Sequence, residues 1–363
     1  MKKYHIYGVG NALVDRDAQV DDAFLKSFNI EKNVMTLTDE ETHHRLMNAL
    51  TDSICHSGCG GSAANTLIAL SQFGGKGFYS CKVADDEAGR LFMSQLTALK
   101  LDCNLALENL SSGVTGQCLV LVTKDAQRTM NTHLGISETL DIAVLNFEAI
   151  AASEYVYLEG YLITSPTARK ALLAARRHAQ ASNTKVALTL SDPNMVRYFK
   201  NELMTIIDGH VDLLFCNEEE ALLFTGSDNL EIAIALLQPL AKQLVVTCGS
   251  QGAILAIDEE VIAIPTKATL AIDTVGAGDM FAGAYLYAIT HGYAPQLAVE
   301  LANKAATEVV CQYGARLSDE KVLAIKDEFI AANYSFIRQI SNVNDRSMSS
   351  GCSSLVTQTD RSR

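Results

Sequence analysis

The segment Asp273-Thr274-Val275-Gly276-Ala277-Gly278-Asp279 sets a glycine turn against an apolar, helix-like run and ends the turn in a carboxylate. Glycine lets a backbone turn and approach a ligand closely. The helix expected over Ala277–Thr290 leaves its first N–H groups unpaired, with the positive end of its dipole at the turn. Such a turn cradles an anion. If the anion is the γ-phosphate of a nucleotide, Asp279 faces the same space without touching the phosphate and can take a proton from an incoming hydroxyl. Phosphoryl transfer demands little beyond positioning, charge stabilisation and that base. The plainer alternative is an ordinary loop with a first-turn aspartate favoured by the helix dipole.

Two further groups bear on the choice. Gly60-Gly61-Ser62-Ala63-Ala64-Asn65 is again a double glycine opening a small-residue helix, where a sugar could lie against the backbone and Asn65 could offer a donor and an acceptor to vicinal hydroxyls. Read structurally, it is a tight turn with close helix packing. The strand Tyr4–Val9 ends in glycines and presents Asp15 soon after, a carboxylate able to accept from two sugar hydroxyls. The same stretch offers a rival: Gly8-x-Gly10-x-x-Leu13 is a dinucleotide fingerprint with leucine in place of the third glycine, which would suit a nicotinamide-dependent oxidoreductase. The acidic residue expected about 20 residues on follows only after a non-helical insertion. No G-x-x-x-x-G-K-[ST] loop is present, and His43-His44-Arg45-Leu46 lacks the aspartate of a protein-kinase catalytic loop.

The elements that must position these residues alternate along the chain. Short apolar runs at Tyr4–Val9, Gly77–Val83, Gln117–Thr123, Tyr155–Leu158, Lys185–Leu190, Val211–Cys216, Gln243–Cys248, Ala253–Ile257 and Val261–Ile264 read as strands. Helical patterns at Ser62–Phe73, Thr167–Ala181, Glu219–Thr225, Ala277–Thr290 and Leu297–Cys311 separate many of them. This alternation predicts an α/β fold with a mainly parallel sheet covered on both faces. Leu13–Leu37 and roughly Gly113–Leu134 break the pattern with alternating segments and no obvious helix. They are expected to form a small sheet, a lid over a cleft, with a hairpin turn near Lys124–Gln127. Residues 1–340 then make a single domain, and the aperiodic serine-rich stretch 341–363 a disordered tail.

Composition narrows the partners. The 363-residue chain is 48% hydrophobic and 20% charged, and no apolar run approaches the ~20 residues of a membrane span. The N-terminal segment MKKYHIYGVGN lacks a signal-peptide core, so a cytoplasmic location is expected. A formal charge of −13 with scattered cations argues against nucleic acid, although backbone N–H groups and bound cations can still hold ATP. The nine cysteines are irregularly spaced, without a C-x-x-C pair, and read as buried small hydrophobes in a reducing compartment.

With these pieces in place, residues 4 to 330 resemble the ribokinase and adenosine kinase-like family, the PfkB carbohydrate and purine kinases. Two segments carry the resemblance, "GCGGSAANTLIALSQFGGKGFYSCKVADDEAGRLF" and "DTVGAGDMFAGA", in the family's order. It implies a ribokinase-like, doubly wound sheet flanked by helices with a small β-sheet lid. It also implies direct transfer of the ATP γ-phosphoryl group to a primary alcohol. Asp279 matches the catalytic base, and the N–H groups of Gly276, Ala277 and Gly278 match the anion hole. Asp15 and Asn65, with the Gly60-Gly61 turn, would orient the acceptor. Asn217 and Glu220 match an N-x-x-E motif that holds Mg²⁺ largely through water, and Gly249 and Gly252 match a G-x-x-G nucleotide turn. Asn303 falls where relatives contact the adenine and ribose of ATP. A monovalent cation such as K⁺ would sit between Asp273, the Val275 carbonyl and residues 314–318.

The stretches "GQCLVLVTKDAQRTMNTHLGIS", "YLEGYLIT" and "VALTLSDPNMV" are most similar to bacterial nucleoside kinases, which favours adenosine as acceptor and AMP as product. Apolar residues such as Met35, Met130 and Leu134 could sandwich a purine, or could be lid core. Inosine, guanosine, ribose, fructose or a keto-deoxy sugar acid are the alternative acceptors, and a non-catalytic nucleoside sensor is the alternative class. The resemblance fits a monomer or a homodimer.

Overall fold

The computed structural model describes residues 2–333 except 33, 52 and 126. The stretch 341–363, expected to be a tail, lies outside the described residues. In chain order the strands are β1 (Tyr4–Val9), β2 (Leu13–Gln19), β3 (Met35–Leu37), β4 (Ile54–Gly60), β5 (Gly77–Ser80), β6 (Asp102–Cys103) and β7 (Gly116–Val122). They continue with β8 (Arg128–His133), β9 (Ser153–Glu159), β10 (Lys185–Thr189), β11 (Val211–Asn217), β12 (Ala241–Thr247), β13 (Ala253–Ile257) and β14 (Glu260–Ile264).

Nine of these form one sheet in the order β14-β13-β12-β11-β10-β9-β1-β5-β6. Pairing is parallel from β6 through β12, and β13 and β14 add an antiparallel edge. Both faces are covered, which is why the strands read as near-continuous apolar runs. Along β9, Tyr155 and Tyr157 point into one core and Val156 and Leu158 into the other. Helices Ser62–Gln72, Ala277–Thr290 and Pro295–Val309 fill the first core. Helices Pro166–Ala181, Pro193–Ile207, Glu218–Thr225 and Leu230–Leu237 fill the second. The α/β class and mainly parallel sheet expected from the sequence are what the fold contains.

A second sheet has the order β3-β8-β7-β2-β4, with β2 pairing in parallel with β7 and antiparallel with β4. One face packs Ala18, Leu119 and Leu121 against Leu25, Leu46 and Leu50 of helices Asp22–Ser27 and Glu40–Leu50. The alternate residues, among them Asp15, Cys118, Val120 and Met130, face a cavity over the large sheet. The helix Asp22–Ser27 corrects the expectation that Leu13–Leu37 holds none. It has six residues, too few to show a 3.6-residue repeat, and it is set by its cap: Phe24 N–H donates to Asp21 Oδ1 at 2.8 Å. Strand β4, rich in glycine and cysteine, also escaped the sequence reading. It is held by its register with β2.

Candidate active site

A cavity of about 400 Å³ opens beyond the carboxyl ends of the parallel strands. Asn11 follows β1, and Glu159, Thr189, Asn217 and Thr247 end β9, β10, β11 and β12, all of them lining it. Open parallel sheets place ligands at this end. The second sheet roofs the cavity with Leu13, Met35, Leu37, Val120, Met130 and Leu134.

Asp279 lies in the first turn of the Ala277–Thr290 helix and Asn65 in the first turn of the Ser62–Gln72 helix. The two helices cross closely because Gly283 has no side chain; a Cβ there would collide with the Thr66 carbonyl. Across this junction Ser62 Oγ donates to Asp279 Oδ1 at 2.6 Å, and Asn65 Nδ2 donates to Oδ2 at 3.3 Å. Burial pushes the Asp279 carboxyl up to about 6, against the lowering effect of those two hydrogen bonds and of the Arg316 charge. A carboxylate poised near neutrality, still open to a cavity, suits a general base.

Gly276 caps the Ala277–Thr290 helix in a left-handed conformation (φ 74°), with no side chain satisfying the helix N-terminus. Gly276 and Gly278 line the cavity, and their N–H groups have no partner among the described residues. The Ala277 N–H differs: it makes a turn bond to the Thr274 carbonyl at 3.3 Å, and Ala277 does not line the cavity.

Asp15 projects from β2 against Gly60, where a Cβ would overlap its carboxylate, so the glycine makes room for the acid. Burial raises Asp15 to about 7, Asp17 and Asp279 add to the rise, and Arg316 and Arg128 oppose it. Gly61, Asn65 and Asp15 share the cavity with Asp279, so the two double-glycine turns and β2 do meet.

Asn217 and Glu220 also line it, locked as a reciprocal capping box at the start of Glu218–Thr225. Glu220 accepts from Asn217 N–H at 3.1 Å and Nδ2 at 2.7 Å, and burial raises its carboxyl to about 7. It has no cationic partner within 4.0 Å among the described residues. A buried carboxylate on a cavity wall without a compensating charge fits a hydrated Mg²⁺, which takes one or two carboxylates plus waters and phosphates.

Gly249, Gly252 and Asn303 lie apart from this cavity. They gather instead at the end of β14: Asn303, buried and not on an exposed helix face, donates Nδ2 to the Ile264 carbonyl at 2.9 Å. Gly252 packs so close to that carbonyl that a side chain would clash with it. Asp273 is buried behind the glycine turn, where its Oδ1 accepts from Val275 N–H at 3.0 Å and its Oδ2 from Gly314 N–H at 2.8 Å.

Four residues of the site were not picked out from the sequence: Ser62, Glu159, Arg128 and Arg316. Glu159 accepts from Asn11 N–H at 3.2 Å, Asn11 Nδ2 at 3.0 Å and Ala63 N–H at 2.9 Å, and burial raises it to about 7. It ties β1 to the start of the Ser62–Gln72 helix. A single acid inside the apolar run "YVYLEGYLI" was the available signal. Arg316 donates to Asn65 Oδ1 from Nε and Nη2, each at 3.2 Å, and to the Cys59 carbonyl.

The pattern of the pfkB family carbohydrate kinases matches residues 35–322. Adenosine kinase from Sinorhizobium meliloti is similar in structure, with a TM-score of 0.81 and 32% identity over 87% of this chain and 96% of that one. A probable sugar kinase protein from Rhizobium etli gives a TM-score of 0.84 and 30% identity over 91% and 100%. Adenosine kinase 1 of Arabidopsis thaliana is 27% identical over 311 residues, 79% of this chain and 88% of its own length.

Proposed function

Because the chain belongs to the pfkB family of carbohydrate kinases, we propose that it transfers the γ-phosphoryl group of ATP to the primary hydroxyl of a nucleoside, converting adenosine to AMP. The observation that carries this reading is the meeting of Asp279, held by Ser62 and Asn65, with the unpaired N–H groups of Gly276 and Gly278 at the floor of an apolar-roofed cavity. Asp15 and Asn65 orient the ribose hydroxyls. Asp279 accepts the proton of the attacking alcohol, and the glycine-turn amides face the charge that develops on the transferred group. Asn217 and Glu220 would hold a hydrated Mg²⁺, which would neutralise charge on the phosphates when bound. Among the described residues no helix is long and apolar enough to cross a membrane.

The acceptor assignment rests on the roof. Met35, Leu37, Val120, Met130 and Leu134 present apolar faces suited to a flat base, whereas a bare sugar would leave them without a partner. The five-stranded sheet acts as a lid that excludes water. Its other face is already covered by helices Asp22–Ser27 and Glu40–Leu50, which favours a monomer over a dimer built through that face. ATP consumption measured with adenosine, inosine, guanosine, ribose and fructose tests the proposal. Adenosine-dependent turnover is expected, and turnover with the free sugars alone would overturn the acceptor assignment.

A further inference from the structure

The family resemblance expects a monovalent cation at Asp273, but that carboxylate already accepts from three donors, one of them a guanidinium. Besides the Val275 and Gly314 N–H groups, Asp273 Oδ2 receives Arg128 Nη2 at 2.9 Å. The pair is desolvated, with the side chains of Arg128 and Asp273 only 8% and 1% exposed. The guanidinium also lies 5.5 Å from the centre of the Tyr313 ring and 4.0 Å from Asp17 Oδ1. A cation such as K⁺ sharing the carboxylate would meet a like charge at close range in a site shielded from water, and the carboxylate has already given its strongest positions to three donors. The residues present do not fit the ion.

We infer that Arg128 takes the place of the monovalent cation, supplying from within the chain the positive charge beside the Gly276 turn. This rests on the kinase reading and adds a consequence to it. Arg128 belongs to β8 in the sheet that roofs the cavity, while Asp273 precedes the glycine turn on the opposite side. The charge is therefore in place only when the roof is down, so closure over the acceptor and completion of the phosphoryl-binding turn are one event. A free ion would not couple them.

The test compares adenosine phosphorylation in potassium chloride and in tetramethylammonium chloride at equal ionic strength, with thermal melting under the same two salts as a readout independent of turnover. The wild-type protein is expected to work equally fast and melt equally high in both. Arg128→Ala should lose about tenfold or more in rate without potassium and recover with it, and potassium should raise its melting temperature selectively. Arg128→Lys, which keeps the charge and protects the fold, should remain active without potassium. Potassium-specific activation or stabilisation of the wild-type protein overturns the inference, as does an Arg128→Ala variant that is fully active without potassium. If no acceptor is phosphorylated by the wild-type protein, the kinase reading fails while the melting comparison still decides the cation assignment. If Arg128→Ala does not fold, the wild-type and Arg128→Lys arms decide it.

Discussion

Asn65 donates to Asp279 Oδ2 at 3.3 Å while its own Oδ1 accepts from Arg316 at 3.2 Å, so the orientation of one amide links the proposed base to a cation that does not touch it. Arg316 lowers the proton affinity of both Asp279 and Asp15. With Asp279 near 6, the adenosine-dependent rate should rise with pH through that region as the base loses its proton, the observed value belonging to the coupled Asp279–Asp15 pair. Arg316→Met removes the positive charge, and the rising limb should move to higher pH. A pH–rate profile that is superimposable on the wild type would contradict this linkage.

Stability should respond to pH in the opposite sense. Asp15, Glu159 and Glu220 are raised to about 7 and Asp279 to about 6, all above their unfolded values of 3.8 or 4.5. Their protonated forms favour the fold. The contribution is therefore full below the unfolded values and is lost as pH rises through about 7. His43, lowered to about 4 by burial, acts in the other direction on the acid side. Between about pH 7 and 8, where His43 is mostly neutral in both states, the melting temperature of the ligand-free protein should fall with rising pH. Glu220→Gln should flatten the fall. A melting temperature that climbs over this range would rule out the buried-carboxylate account.

The roof residues should govern the base and not the sugar. Truncating Met130 or Leu134 to alanine removes apolar contact worth ~1–2 kcal/mol, about a tenfold rise in KM for adenosine. Any residual turnover of ribose should be unchanged. Equal losses for both acceptors, measured by steady-state kinetics, would show that these side chains support the lid and do not touch a base.

Much of this site is legible in the chain because its chemistry is local. The glycine turn, Asp279 and the helix behind it lie within one stretch, as do Gly60, Gly61 and Asn65, and the strand that delivers Asn217 shows as an apolar run, whereas the charged strand LVDRDAQ that carries Asp15 does not. What is not legible depends on distant contacts. Ser62 meets Asp279, and Arg128 meets Asp273, only through the crossing of helices and the seating of one sheet on another. Nothing in the hydropathy around an isolated arginine announces its partner. Asn303 shows the same limit: an asparagine on a helix does not reveal which way it faces, and packing turns this one inward to the Ile264 carbonyl.

Substitution of Asp279 by asparagine tests the central claim most directly, because the amide keeps the shape and the Ser62 neighbourhood while removing the proton acceptor. Single-turnover phosphorylation of adenosine by Asp279→Asn should be slower by about 10²–10⁴-fold with ATP affinity nearly unchanged. A variant that transfers phosphate at the wild-type rate would contradict the role of Asp279 and the reading of the site built on it.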